Sequence, residues 1–282
     1  MLIRFYNEDT SWVYNDEAVV ALVGKSATNQ FDNITLSVDE IKSAFPFVCF
    51  DTPSKKDFDW MIYENEIENK LKRGMNDRLA LCQTDMLFVL SDFDSNEDYD
   101  ICVRYATQLK EDGLSFLVTH ERNRKSDAIA QIGNKFRHVI FVENDVDNLF
   151  YPVKQLLVDY YRPSFIGIDM ADVLSVYPRK RKRQSNFVRY SFPNITALKA
   201  FIPELTSWVK TKNSSFSFPP DFMLFMNVSQ TTGLDDIEEI ATRVMDDYYN
   251  SEIIWSCNFN SDKGDDSCTL LLQTVFPIVE TE

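Results

Sequence analysis

The chain has 282 residues, 44% of them apolar and 13% aromatic, which supports two subdomains around substantial cores and excludes a disordered chain. A formal charge of −15 argues against general nucleic-acid or anionic-membrane binding, since such partners are held mainly by lysine and arginine on phosphates. Only seven glycines are present, against a usual share of about 7%, so no reserve of glycine-rich loops exists.

Apolar runs bounded by polar turns alternate with helix-length periodic segments, the pattern of an α/β layer with a largely parallel sheet. Strands are predicted over Val19–Val23, Phe47–Phe50, Met86–Leu90, Ser115–Val118 and Val139–Val142, and helices over Val38–Ala44, Glu64–Leu81, Tyr99–Glu111 and Ser126–Phe136. A helix over Asp147–Tyr161 bridges to the second half, with Pro152 tolerated in its first turn and Pro163 ending it. Then follow a helix to Val176, a basic run, a strand over Phe187–Phe192 and a helix over Ala197–Lys210 that Pro203 should kink or shorten. The last unit reads as strand Phe222–Val228, helix Leu234–Tyr249, and strands Ile253–Phe259 and Thr269–Phe276, with Asp235 and Asp236 at the helix start where the macrodipole prefers acids.

The cysteines Cys49, Cys82, Cys102, Cys257 and Cys268 form no CxxC pair and lie mostly in apolar runs, which reads as reduced core or strand thiols. The start, MLIRFYNEDTSW, has no apolar leader region, and no apolar stretch approaches the roughly 18 residues of a membrane span. A soluble cytoplasmic protein without export signal or anchor is expected. His120 and His138, the two histidines, lie in different segments with no GxSxG elbow to support a triad. No HExxH, zinc-type cysteine spacing or calcium loop with its central glycine occurs, so no metal is expected.

The chemistry-bearing stretch is Met86 to Gly113, MLFVLSDFDSNEDYDICVRYATQLKEDG. Strand, loop and helix here resemble, without a gap, the segment of FtsZ and the tubulin superfamily in which a GGGTGTG signature cradles GTP. In this chain those seven positions are Asp94, Ser95, Asn96, Glu97, Asp98, Tyr99 and Asp100. Backbone N–H groups can close on phosphate only where no Cβ intervenes and the field is positive. With Asp92 included, the loop instead offers five acids that would repel a triphosphate, so a solvated acidic loop is expected.

A second stretch, Arg162 to Val173, RPSFIGIDMADV, resembles the RPGLMNVDFADV of FtsZ. The resemblance implies that Asp169 and Asp172 match the two aspartates that act on the next subunit's nucleotide, while Gly167 stands where the family has asparagine. The third, Phe222 to Phe276, is similar to the family's closing strand–helix–strand–strand segment. Phe47–Thr52 and Val20–Gly24 are placed like its FIAVNTD strand end and the strand entering its first glycine loop.

These segments imply an FtsZ/tubulin-like α/β fold: a Rossmann-like nucleotide-type domain with a parallel sheet over residues 1–146, a central helix over 147–163, and a smaller α/β activation-type domain over 164–282. Gly24, Lys25 and Ser26 resemble the end of a Walker A motif lacking its upstream glycine. They are secondary nucleotide-binding candidates, as is Asp147, whose match implies the guanine-reading acid of the central helix. The alternatives are that Asp147 is a helix N-cap and that Glu143-Asn144-Asp145 is the family's strand end.

Arg179, Lys180, Arg181, Lys182 and Arg183 form a cationic run in an acidic chain. It reads as a flexible basic turn, a nucleic-acid or import-receptor contact, or a contact for an acidic protein surface. The resulting expectation is a non-hydrolysing, FtsZ-like cytoskeletal scaffold without cofactor. It would associate with itself or with a true FtsZ through Gly167, Asp169, Asp172 and the basic run. The alternatives are a divergent filament-forming GTPase using GTP and Mg2+, and a nucleic-acid adaptor.

Overall fold

The computed structural model describes residues 2–7, 18–28, 48–51, 85–108, 113–146, 148–161, 166–214, 216, 218–246, 248, 250–260 and 264–278. The polypeptide divides into one unit of Met1–Val139 with Asn148–Phe150 and another of Ile140–Asp147 with Tyr151–Glu282. The helices expected over Val38–Ala44 and Glu64–Leu81 lie outside the described residues.

In the first unit the strand order is β3-β1-β2-β4-β5. β2 (Ala18–Val23), β4 (Met86–Ser91) and β5 (Leu114–His120) run parallel, with Val20 opposite Phe88 and Phe88 opposite Phe116. Every residue of these three strands is buried, which explains why they read as unbroken apolar runs rather than as alternating ones. β1 (Leu2–Asn7), not anticipated from the sequence, pairs antiparallel with β2 and with β3 (Val48–Asp51). The helices are α1 (Lys25–Thr28), α2 (Asn96–Gln108) and α3 (Asp127–Ile132). α3 starts where Ser126 accepts the N–H of Ile129, and it ends at Ile132, four residues short of the Phe136 predicted, with Gly133 as its C-cap. The Phe88 and Phe116 rings stack at 4.7 Å, and His138 lies 5.0 Å from Phe116 inside the core. The chain passes to the second unit within β6 (His138–Val142).

After β6 the second unit continues with α4 (Tyr151–Tyr161), which carries Pro152 in its first turn and starts four residues after Asp147, itself outside the described residues. α5 (Met170–Val176) precedes the sheet order β7-β10-β8-β9, made of β7 (Arg183–Phe192), β8 (Asp221–Val228), β9 (Ile253–Phe259) and β10 (Cys268–Pro277). β10 is antiparallel to both neighbours, with Leu272 opposite Val188 and Leu224, whereas β8 and β9 are parallel.

α6 (Ile195–Asn213) and α7 (Leu234–Met245) bury Leu198, Ile202, Leu205, Val209, Ile237, Ile240 and Val244 in one cluster with Phe222, Leu224, Met226, Leu270 and Leu272. Lys199 joins the two helices through Asp236 and Glu239. Contrary to the expected break, α6 runs straight through Pro203, whose exposed ring lies away from the buried stripe. α7 starts at Leu234 as read and ends by Met245, short of Tyr249. Cys102, Cys257 and Cys268 are buried free thiols, and burial pushes Cys102 up to about 12. No helix among the described residues is long and apolar enough to cross a membrane.

Candidate functional site

The acidic loop joins β4 to α2 and, in a parallel sheet, opens beside the C-terminal ends of β2 and β5. Its first residue is not solvated. Asp92 is 8% exposed and its carboxylate collects five donors. Oδ1 accepts the Thr119 hydroxyl at 3.3 Å, the His120 backbone N–H at 3.2 Å and the Asn123 amide at 2.9 Å. Oδ2 lies 2.7 Å from His120 Nδ1 and accepts Arg122 Nη2 at 2.7 Å. Burial pulls the carboxyl up, but the hydrogen bonds from His120 and the positive charges of His120 and Arg122 outweigh it and hold Asp92 below its ordinary 3.8.

Phe93 follows with φ +56°, the one non-glycine residue of positive φ among the described residues. Such a backbone costs about 1–3 kcal/mol unless the surroundings fix it. Asp92 fixes one side, and Asp94 the other. Asp94 reaches across to α1, where Oδ2 accepts the Ser26 N–H at 2.7 Å and Oδ1 accepts the Ser26 hydroxyl at 2.6 Å. Ser95 then caps α2: its hydroxyl accepts the Asp98 N–H at 3.3 Å, and its own N–H donates to Asp98 Oδ2 at 3.0 Å. That reciprocal pair satisfies two helix-end donors at once.

Gly24, between β2 and α1, has φ +85°. A Cβ added there would meet Asp98 Oδ2 at 2.7 Å and Asp94 Oδ2 at 2.9 Å. The backbone turn at Gly24 therefore faces two carboxylates of its own chain. No group of three or more candidate metal ligands occurs among the described residues.

The sequence-predicted loop residues thus divide. Asp92 and Asp98, read as solvated, are buried and bonded, because the donors that hold them lie on β5 and at the start of α2. Asp94, Asn96, Glu97 and Asp100 are exposed, with Asn96 and Glu97 in the first turn of α2, so three acids rather than five face solvent. Lys25 is exposed at the start of α1. Sequence reasoning missed Thr119, His120, Arg122 and Asn123. The available signal was a His-Glu-Arg-Asn cluster directly after a strand parallel to the one that ends in Asp92.

In the second unit Ile166 hooks onto the edge of β9 by exchanging backbone hydrogen bonds with Cys257 at 3.3 and 3.0 Å. This places Gly167 and Asp169 in the open. Asp169 caps α5 by accepting the Asp172 N–H at 3.0 Å, and Asp172 Oδ2 accepts the Asp169 N–H at 2.9 Å.

The basic run is likewise not one solvated patch. Arg183 opens β7, opposite Pro277, and its Nη2 sits 3.4 Å from Asp221 with both side chains largely covered. The Lys182 carbonyl accepts the Ile278 N–H at 3.1 Å, and Arg179 and Lys182 are half-buried. Lys180 and Arg181 alone of the five are exposed.

No protein-family model matches the sequence, and no curated protein matches it. Solved structures do match in fold. An empty FtsZ dimer from M. jannaschii superposes with a TM-score of 0.55 at 13% identity, covering 76% of this chain and 69% of that one. A second M. jannaschii FtsZ structure, a point variant, gives 0.56 at 13% identity over 75% of this chain and 71% of its own. CetZ from Methanosaeta thermophila gives 0.51 at 10% identity over 93% and 86%.

Proposed function

We propose that this chain, which has a divergent FtsZ/tubulin-superfamily fold, is a non-hydrolysing cytoskeletal scaffold that associates with itself or with a true FtsZ without a nucleotide of its own. The observation that carries the reading is the convergence of Asp94 and Asp98 on Gly24. A triphosphate set on this turn would have to displace two carboxylates and then remain beside them, and like charges at such range disfavour it. Association through the Asp169–Asp172 start of α5 is the finer part of the reading. It draws on the dimeric state of the FtsZ structure with the same fold and on the exposure of Gly167 and Asp169. A cytoplasmic setting, with neither membrane nor nucleic acid as partner, is part of the same proposal.

Calorimetry with GTP and magnesium tests the core of it. No binding tighter than about 1 mM is expected. A dissociation constant in the micromolar range overturns the proposal and favours the divergent GTPase.

Self-association, if electrostatic, joins the exposed Lys180 and Arg181 of one copy to Glu97 and Asp100 of the next. Exposed charges are screened beyond about 8 Å at physiological ionic strength, so sedimentation of the assembled form should fall steeply with salt. Lys180→Glu with Arg181→Glu should abolish it, as should Glu97→Lys with Asp100→Lys, and the four changes together should restore it. These positions are chosen because none of them holds the fold, unlike Asp98 and Arg183. Failure of the combined variant to recover sedimentation, together with arginine-dependent RNA or DNA binding at physiological salt, moves the assignment to the adaptor reading.

A further inference from the structure

β7, β8 and β10 finish together at one end of the second unit's sheet. Pro277, the last residue of β10, pairs with Arg183, the first of β7, and Val275 pairs with Asp221, the first of β8. Past Pro277 the Ile278 N–H donates to the Lys182 carbonyl at 3.1 Å. The register therefore brings to this end the two stretches that lead into β7 and β8: the basic run, and the stretch that carries Phe216, Phe218, Pro219 and Pro220.

Phe216 is anchored, its ring stacked 3.9 Å from that of the buried Phe276. Phe218 stands open at 51% exposure, and among the described residues it and Leu234 are the large apolar side chains so exposed. Pro219 beside it is exposed, and Pro277 and Ile278 are half-buried. Arg183 is committed to Asp221, whereas Lys180 and Arg181 are exposed. Glu252, an exposed acid at this end, precedes β9 on the far side of the order β7-β10-β8-β9. We infer that this end of the sheet docks a short acidic peptide segment of a partner protein, with an aliphatic or aromatic side chain on Phe218 and carboxylates on Lys180 and Arg181.

Charge selects the partner. The chain carries −15 overall, so two exposed cations beside an exposed ring attract acids against a repelling surround. A compact segment with a few carboxylates stays within about 8 Å of the cations, the range over which exposed charges act at physiological ionic strength. A nucleic acid or an anionic bilayer extends its field beyond that range and meets the chain's own acids. Exposed ion pairs alone contribute little, so the docking needs the ring as well, and aromatic rings and arginines are the side chains enriched in protein interfaces.

The inference goes beyond the proposed scaffold role and does not depend on the turn at Gly24. Fluorescence anisotropy of a short labelled peptide of alternating glutamate and leucine, at physiological salt, tests it. A dissociation constant of about 10–100 μM is expected. Phe218→Ser should weaken binding about fivefold or more, and Lys180→Ala with Arg181→Ala about tenfold. A peptide with serine in place of leucine should bind weakly and should not respond to Phe218→Ser. All three positions are exposed, so the variants should keep the wild-type far-UV signal.

No binding tighter than about 1 mM, or equal affinity for wild type and Phe218→Ser, overturns the inference. So does tighter binding of phosphatidylserine vesicles or single-stranded DNA that depends on Lys180 and Arg181, which assigns the surface to a polyanion. Sedimentation of the self-associated form should be the same in Phe218→Ser as in wild type while peptide binding falls; a parallel loss instead assigns the ring to a second copy. A chain that bound GTP would overturn the proposed function and leave this surface standing. Absence of peptide binding would do the reverse.

Discussion

Asp92→Ala is expected to destabilise the first unit by about 1–3 kcal/mol, because the covered donors of Thr119, His120 and Asn123 lose their shared acceptor while the half-exposed Arg122 is returned to water. His120, Asn123 and Thr119 would each lose an acceptor that water reaches poorly, and the Arg122 guanidinium would lose its nearest anion. Asp92→Asn, which keeps an acceptor for the backbone N–H of His120 but forfeits the charge, should cost about half as much. Urea unfolding followed by tryptophan-independent far-UV signal measures both. A loss within about 0.5 kcal/mol of wild type, the range of an ordinary surface change, would show that the network does not anchor the loop.

The same group sets an acid limit. The Asp92 carboxyl is held below 3.8 in the folded chain, so its contribution is fully present above the unfolded value and is lost as pH falls through the folded one. Wild type should therefore lose stability below about pH 4 more steeply than Asp92→Asn, and the two curves should converge there.

Added at one part in about ten to a polymerising FtsZ, this protein is expected to shorten filaments rather than merely dilute them. A subunit that can engage a neighbour through one face but offers a changed, carboxylate-filled turn on the other ends a head-to-tail chain instead of extending it. Light scattering and sedimentation read the outcome. The informative control neutralises the pair without unravelling α5: Asp169→Asn with Asp172→Gln retains side chains able to form the capping box. Assembly that proceeds unchanged, or that is shortened equally by the neutral variant, removes the support for docking through this face.

What could be read from the sequence follows from how each feature is encoded. β2, β4, β5 and most of β8 were legible to within a residue or two because strands buried on both faces are contiguous apolar words with turn residues at their ends, and β9 because it is rich in β-branched and aromatic residues. β1 was not, since Arg4 and the polar residues after Asn7 break the run, and its pairing with Val20 and Phe50 is a tertiary fact. Pro203 signalled a break that did not occur, because a proline on the exposed face can be tolerated when the opposite stripe, Leu198 to Val209, is locked in a core. The acids of the loop were legible as acids and not as buried or exposed. Asp92 is matched by donors 27 to 31 residues downstream, and no local pattern announces such a pairing. Ser26 shows the same limit from the other side: the motif-like Gly-Lys-Ser suggested an anion nearby, but only the fold reveals that Asp94 supplies it.

The reciprocal hydrogen bonds between Asp169 and Asp172 bear on how such chains diverge. Each acid satisfies the other's backbone N–H at the start of α5, so replacing either one exacts a folding penalty whether or not the chain performs any chemistry. Selection for a helix start alone is enough to hold both in place across generations. A lineage that abandoned hydrolysis would shed glycines from its phosphate loop freely while this pair stayed behind, and the two motifs would drift at different speeds.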